Sequence, residues 1–96
     1  MQNLNKRYLQ DPNMVSRVIV DETILVPIRQ NVGDMESIYT LNETATLAWS
    51  LMDGENTLEE IRDRIVVEYD VDEEDAQLDL LELIAQLQEI GALQEL

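Results

Sequence analysis

The pattern of hydrophobic and polar positions changes once along this chain of 96 residues, near Asn42. Before that point, apolar residues fall in short runs rich in β-branched side chains. After it, they recur every three or four residues. Short β-branched runs are typical of strands, and the longer spacing is typical of amphipathic helices. The pattern therefore predicts an α+β fold, with a three-stranded antiparallel sheet followed by three helices.

The first half of the chain predicts a small antiparallel sheet. Its strand segments are 16–20, 23–28 and 36–41. Asp21 and Glu22 join the first two strands as a tight turn, and residues 31–34 form a polar loop before the third. Pro27 cannot donate a ladder hydrogen bond, so we expect it at an edge or a bulge. Three strands are about the minimum for a stable small sheet, and helices must cover one face.

The second half predicts three helices from their capping residues. They span 43–52, closed by Asp53 and Gly54, then a segment that starts after Thr57, and finally 73–90. Asn42 is a good N-cap for the first helix. Thr57 and Glu60 have the spacing of a capping box, which opens the second. Asp72 caps the third helix, and Gly91 follows it where a left-handed residue often ends a helix.

The third predicted helix has two apolar faces. Its broad face, expected to point to the core, consists of Ala76, Leu80, Leu83, Ile84, Leu87 and Ile90. A smaller cluster of Leu78, Leu81 and Ala85 lies roughly opposite, flanked by Gln77, Glu82, Gln88 and Glu89. Such a helix is either sandwiched within its own domain or offers one face to a partner. Because a sandwich is hard to build in so small a domain, the pattern favours a partner.

Charge is distributed unevenly, with a formal net charge of −15 at pH 7. Residues 1–35 contain four cations and four anions, whereas residues 36–96 contain Arg62 and Arg64 against 17 acids. Such a field repels phosphate backbones and anionic membrane surfaces, and it attracts basic partners. Solvation of the helix faces explains the same acids without any partner. Solubility alone and an electrostatic role both stay open.

Histidine and cysteine are both absent, which removes the usual general base near neutral pH and the soft metal ligands. The acidic run 70–75 resembles a calcium loop. The EF-hand pattern, however, requires Gly at its sixth position and Glu at its twelfth, where this chain has Asp75 and Leu81. Acidic side chains at a helix N-terminus explain the run without a metal. We therefore expect no catalytic residues, no metal and no cofactor.

Composition predicts one globular domain, because 45% of the residues are hydrophobic despite the charge. Segment 1–10 is polar and lacks the apolar region of a secretory signal, and no apolar stretch reaches transmembrane length. We therefore expect a cytoplasmic protein that does not bind membranes. Residues 1–15 are expected to be a flexible segment, and residues 16–96 the folded domain.

Three strands followed by three capped helices also resemble a winged helix-turn-helix, an arrangement that usually binds DNA. A recognition helix then needs Arg or Lys. The second helix has only Arg62 and Arg64 among several acids, and the third has no cation. We expect no nucleic-acid partner.

Several short motifs resemble those of the PqqD family in order and spacing. They are Thr40-Leu41-Asn42-Glu43-Thr44-Ala45, Ala48-Trp49, Asp53-Gly54, Thr57-Leu58-Glu59-Glu60-Ile61, the upstream segment 22–28, the third helix centred on Asp79, and the closing Gly91-Ala92-Leu93. Each motif alone is partly capping chemistry. Their combination, over roughly residues 16–94, carries the resemblance.

The resemblance implies a role in recognising peptides. PqqD-family members are recognition elements for ribosomally made, post-translationally modified peptides: they bind the leader of a precursor peptide and present it to a modifying enzyme, often a radical SAM protein. The leader adds as a further strand beside the third strand and third helix, which is β-augmentation. By position, the residues implied are Ser37, Ile38, Tyr39 and Thr40 on the strand and Gln77, Leu78, Leu81, Ala85 and Gln88 on the helix. Tyr39 and Leu81 also fit ordinary places in a core.

The chain departs from the pyrroloquinoline-quinone members of that family, which typically have Gly after Glu-Thr and end in Gly-Trp. Ala45 and Ala92 stand at those positions here. We therefore interpret the chain as a PqqD-like protein of another pathway, whose cognate peptide the sequence does not identify. The alternative is a structural module that forms a homodimer through the face of Leu78, Leu81 and Ala85.

Overall fold

The computed structural model describes residues 4–27 and 38–96, which form three helices and two three-stranded antiparallel sheets. In chain order the elements are β1 (Arg7–Gln10), β2 (Met14–Ile19), β3 (Glu22–Pro27), β4 (Tyr39–Leu41), α1 (Glu43–Ser50), β5 (Asp53–Thr57), α2 (Leu58–Tyr69), α3 (Glu73–Glu89) and β6 (Leu93–Glu95). One sheet has the order β2-β3-β4 and the other β5-β1-β6. The predicted α+β class with three helices is confirmed, and the second sheet was not expected.

The predicted sheet corresponds to β2, β3 and β4, with one difference at its first turn. The last pair of the β2–β3 ladder is Ile19 and Glu22. The turn therefore consists of Val20 and Asp21, so the predicted turn of Asp21 and Glu22 is wrong by one residue. Val20 has a φ of 60°, and two-residue hairpin turns need a positive φ at their first position. Because valine rarely adopts that conformation, a valine at position 20 does not indicate a turn in the sequence.

The third strand is described only in part. β4 covers Tyr39–Leu41, and it pairs with β3 from Thr23↔Leu41 to Leu25↔Tyr39. The predicted residues 36 and 37 of this strand lie outside the described residues, as does the predicted loop 31–34.

The predicted helix starts are confirmed for α1 and α2. The Asn42 carboxamide oxygen accepts a hydrogen bond from the Ala45 N–H at 2.9 Å. In α2, the Glu60 N–H donates to the Thr57 hydroxyl oxygen at 3.2 Å, and the Thr57 N–H donates to the Glu60 carboxylate at 2.8 Å. These bonds satisfy N–H groups that the first turn of a helix leaves without partners. Asp72 precedes α3 without forming a side-chain cap.

The first helix ends earlier than predicted, at Ser50, because the following residues form a strand. Asp53 and Gly54 belong to β5, which pairs with β1. Asp, Gly and Asn are turn-forming residues, so this segment resembled a connection between helices. Its strand conformation depends on β1, which lies more than 40 residues earlier in the chain.

Residues 4–15 of the N-terminal segment are part of the fold, so the predicted domain boundary at residue 16 is wrong. β1 is the central strand of the second sheet, between β5 and β6. The Tyr8 side chain on β1 is only 4% exposed. The Gln10 carboxamide donates to the Trp49 carbonyl at 2.7 Å, and the Leu58 N–H donates to the Lys6 carbonyl at 3.0 Å. These contacts attach the segment expected to be flexible to α1 and to the start of α2.

A single core, mainly aliphatic but with the buried rings of Tyr8 and Trp49, joins the two sheets and the three helices. Its largest fully buried apolar side chains are Leu25, Leu41, Met52, Ile61, Leu80 and Leu87. The first four come from four different elements or connections, and the last two both lie on α3. In the part of the chain that the structure describes, no helix has the length and apolar character needed to cross a membrane.

Arg62 connects α2 to the start of α3. Its guanidinium lies 2.9 Å from the Asp63 carboxylate and 3.3 Å from that of Glu73, and it donates to the Gln77 carboxamide oxygen at 3.0 Å. The side chain is only 9% exposed. A buried cation requires such partners because it has lost most of its hydration. The network therefore fixes the position of α3 relative to α2.

Candidate functional site

A groove with a volume of about 380 Å³ opens between β4, α1 and α3. Its position follows from the chain order: β4 ends the first sheet, Asn42 starts α1 at once, and α3 packs on α2 near both. The groove therefore lies where the edge of the sheet meets a helix.

The groove has an apolar floor and a polar rim. The buried side chains of its floor are Leu41, Ala48, Ile65, Ala76, Leu80 and Leu83. The polar side chains of its rim are Thr40, Asn42, Thr44, Asp79, Glu82 and Gln86. Such a surface can hold apolar side chains of a ligand and form hydrogen bonds around them.

The edge of β4 that faces away from β3 has no strand partner among the described residues. A strand edge of this kind presents N–H and C=O groups to any extended chain that approaches it. The residues Tyr39, Thr40 and Leu41 of β4 also line the groove. Backbone pairing groups and side-chain pockets thus occur at one site.

One hydrogen bond links the strand side of the groove to its helix side. The Tyr39 hydroxyl on β4 donates to the Gln86 carboxamide oxygen on α3. Both side chains line the groove. Since Tyr39 is half-buried and its ring packs against the core, the ring forms a wall of the groove.

A pair of threonines positions β4 and α1. Thr23 on β3 is fully buried, and its hydroxyl lies 2.9 Å from that of Thr46 on α1. The Thr46 hydroxyl also donates to the Leu41 carbonyl of β4 at 3.3 Å. A buried hydroxyl without a partner would destabilise the fold, so these bonds determine how α1 lies on the sheet.

The groove is negatively charged. Asp79 and Glu82 on α3 line it and are exposed to solvent. No lysine or arginine among residues 4–27 and 38–96 lines it. The described cations have other places: Lys6 forms an ion pair with Glu95 at 3.0 Å, for example.

The residues predicted on the strand fall at the groove in part. Tyr39 and Thr40 line it. Ile38 directly precedes β4 and is 58% exposed, but it is not part of the lining. Ser37 lies outside the described residues.

The residues predicted on the third helix do not line the groove. They are Gln77, Leu78, Leu81, Ala85 and Gln88. Gln77 accepts the hydrogen bond from Arg62, and Leu81 packs against the core. Leu78, Ala85 and Gln88 are exposed elsewhere on α3. The α3 residues that line the groove lie instead on, or at the border of, the broad apolar face that the sequence pattern predicts to point to the core.

Four of the six α3 residues that line the groove share one spacing. Ala76, Asp79, Leu83 and Gln86 follow each other at intervals of three or four residues, which places them on one stripe of α3. In the sequence, a groove on this side of α3 is indicated only by one small residue, Ala76, and two polar residues, Asp79 and Gln86, at the border of an apolar face. The sequence pattern alone does not say which border of the face meets β4.

Within residues 4–27 and 38–96, no group of three or more acidic side chains is arranged to hold a metal ion. What the groove offers a ligand is therefore pairing by the backbone of β4, an apolar floor and two carboxylates.

Comparison with known proteins relates this chain to one family and one solved complex. The family model described as coenzyme PQQ synthesis protein D (PqqD) matches residues 22–93, well over half of the chain. The chain is also similar to the structure "TbiB1 in Complex with the TbiA(beta) Leader Peptide", with 27% sequence identity and a TM-score of 0.75. That match covers 90% of this chain and 94% of the other. No curated protein sequence matches.

Proposed function

Because this chain belongs to the PqqD family, whose model spans residues 22–93, we propose that it binds the leader of a ribosomal precursor peptide. The peptide lies in the groove between β4 and α3 and adds to β4 as a fourth strand of the sheet. The observation that carries this proposal is the edge of β4, which no other described strand pairs with, beside an apolar groove. Main-chain bonds supply affinity in such a mode, and side-chain pockets supply specificity.

The similar solved structure supports this proposal. TbiB1 is described in complex with a leader peptide, and the match covers nearly all of both chains. At 27% identity the likeness extends beyond general architecture. The side chains that contact a peptide in this chain are proposed from its own groove.

The finer parts of the proposal concern the pathway. We propose that the protein is not an enzyme and presents its peptide to a modifying enzyme, with a radical SAM protein as the expected partner. A cytoplasmic location and a winged helix-turn-helix arrangement, with the β2–β3 hairpin as the wing, belong to the same proposal. The departures at Ala45 and Ala92 favour a pathway other than that of pyrroloquinoline quinone.

The proposal is tested by filling the groove. Ala45 on α1 lines the groove and is partly exposed, so Ala45→Leu adds apolar volume where the peptide would lie. Ala85→Leu is the matched control, because Ala85 is exposed on α3 and does not line the groove. Affinities are measured by calorimetry with synthetic leader segments of candidate precursors, taken from short reading frames near the gene.

We expect Ala45→Leu to weaken binding of the cognate precursor by about tenfold or more, and Ala85→Leu to leave it unchanged. Circular dichroism and thermal unfolding check that both variants fold. Equal affinity for the wild type and Ala45→Leu would exclude the groove as the binding site.

The homodimer alternative depends on the face of Leu78, Leu81 and Ala85. Leu78 is 60% exposed, whereas Leu81 packs against the core, so less of this face is free than the sequence indicated. Sedimentation over a concentration series tests the homodimer. A monomer at every concentration excludes it, and a dimer that dissociates in the variant Leu78→Glu supports it.

A further inference from the structure

The groove contains negative charge that the described chain does not neutralise. Asp79 and Glu82 line it from α3, and both are exposed. Neither carboxylate forms an ion pair or a hydrogen bond with another side chain among residues 4–27 and 38–96. A ligand that enters the groove therefore meets two free carboxylates next to an apolar floor.

Resting on the proposed function, we infer that this groove selects a cationic peptide. The peptide places an apolar side chain on the floor at Leu80 and Leu83, and a Lys or Arg two positions away opposite Asp79 and Glu82. This names the chemical class of the leader, which the family and the similar structure leave open.

The spacing of the helix matches that pattern. Asp79 and Leu83 are one turn apart on α3, a rise of about 6 Å at 1.5 Å per residue. In an extended peptide, side chains on the same face are two residues and about 6.6 Å apart. A peptide that lies along α3 can thus contact both positions with neighbouring side chains of one face.

The charge of the whole domain acts in the same direction. Residues 36–96 contain 17 acids and two arginines. One of these, Arg62, is buried between α2 and α3 in its own network, and the other, Arg64, is on α2 outside the groove lining. An anionic leader would approach against this field, whereas a cationic one would be attracted to it.

Each exposed ion pair changes affinity modestly, so the two carboxylates act mainly on selectivity. Pairs of this kind contribute less than about fivefold each in low salt, and salt screens them. The apolar floor and the backbone of β4 supply the remaining affinity, and these do not depend on salt in the same way.

The inference is tested by selecting peptides from a display library of random short sequences on three forms of the protein. They are the wild type, the groove variant Asp79→Asn/Glu82→Gln, and the control Glu74→Gln/Glu89→Gln. The control changes net charge equally at exposed positions of α3 that do not line the groove. Each selected peptide is then titrated into labelled protein, and NMR shifts in β4 and α3 show whether it occupies the groove.

We expect groove-binding peptides selected on the wild type and on the control to be enriched in Lys or Arg two positions from an apolar residue. The groove variant should lose the cation enrichment, keep the apolar residue, and bind a wild-type-selected peptide about threefold to tenfold more weakly in low salt. Peptides that occupy the groove without an excess of Lys or Arg, or with an excess of acids, overturn the inference while the proposed function stands. If no selected peptide shifts β4 and α3, both fail.

Discussion

The Tyr39 hydroxyl on β4 donates a hydrogen bond to the Gln86 side chain on α3, across the groove from strand to helix. The two residues are 47 positions apart in the chain. This bond joins the sheet edge to the helix, and the two would flank a bound peptide. The hydroxyl of Tyr39 therefore links strand and helix, whereas its ring lines the groove.

The first prediction separates these roles. Tyr39→Phe removes the donor but keeps the ring, and because the bond is exposed to water the free energy of unfolding should fall by no more than about 1 kcal/mol. Peptide affinity should stay within about threefold of wild type. Tyr39→Ala also removes the ring that lines the groove and should weaken binding about tenfold. Equal losses in both variants would show that the hydroxyl, rather than the ring, contacts the peptide.

The second prediction concerns the buried guanidinium of Arg62. Arg62→Met keeps much of the side-chain volume but leaves Gln77 and Glu73 without their partner. We expect the free energy of unfolding to fall by about 2 kcal/mol in urea denaturation. Arg64→Met is the matched control, because Arg64 is exposed on α2 and should change stability by less than about 0.5 kcal/mol. If Arg62→Met is as stable as its control, the network does not hold α3 in place.

The third prediction tests the place of the N-terminal strand. Tyr8 is buried at the centre of the second sheet, so Tyr8→Ala should lower the free energy of unfolding by about 3 kcal/mol or more. Val67→Ala, at a position 79% exposed on α2, should change it by less than about 0.5 kcal/mol. Similar stabilities for the two variants would show that the segment before residue 16 is dispensable, as the sequence had indicated.

The fourth prediction concerns pH. The Asp53 carboxylate accepts hydrogen bonds from the N–H groups of Glu55 and Asn56 at 2.9 and 3.2 Å, and these bonds lower the pKa of Asp53 below its usual 3.8. Because the folded pKa lies below the unfolded one, the stability that this group adds is complete above the unfolded value. It is lost as pH falls through the lower, folded value.

The measurement is a carboxyl-detected NMR titration together with unfolding of Asp53→Asn. Asp53 should titrate below the usual range for aspartate, and Asp53→Asn should be less stable than wild type near neutral pH. The difference should shrink as the wild-type carboxyl becomes protonated. An Asp53 that titrates at or above its usual value would contradict the hydrogen bonding described for β5.

How much the sequence predicts follows the range of the interactions. The caps at Asn42 and Thr57 were predicted because both partners lie within three residues. The resemblance to the PqqD family, expected over roughly residues 16–94, is confirmed by the match to residues 22–93. β1, β5 and β6 were missed because each is a strand of three to five residues. Short strands with polar residues have no clear period, and only pairing with distant segments makes them strands.

The site divides in the same way. Of the residues predicted on the strand, Tyr39 and Thr40 line the groove. The residues predicted on the helix do not line it, because a hydrophobic pattern assigns residues to faces of one helix but not to the element that each face meets. Asp79, Leu83 and Gln86 line the groove because α3 lies opposite β4 there, and tertiary packing determines that placement.

The central claim is that a leader peptide adds as a strand to β4, and backbone amide exchange tests it most directly. Hydrogen exchange of residues 38–41 is measured by NMR with and without a leader peptide that calorimetry has shown to bind. Because an added strand bonds every second N–H of an edge, we predict slower exchange at alternate amides of β4, with Leu93–Glu95 of β6, an edge strand of the other sheet, unchanged. A peptide that binds yet leaves the exchange of β4 unchanged, or that protects β6 instead, would contradict the account.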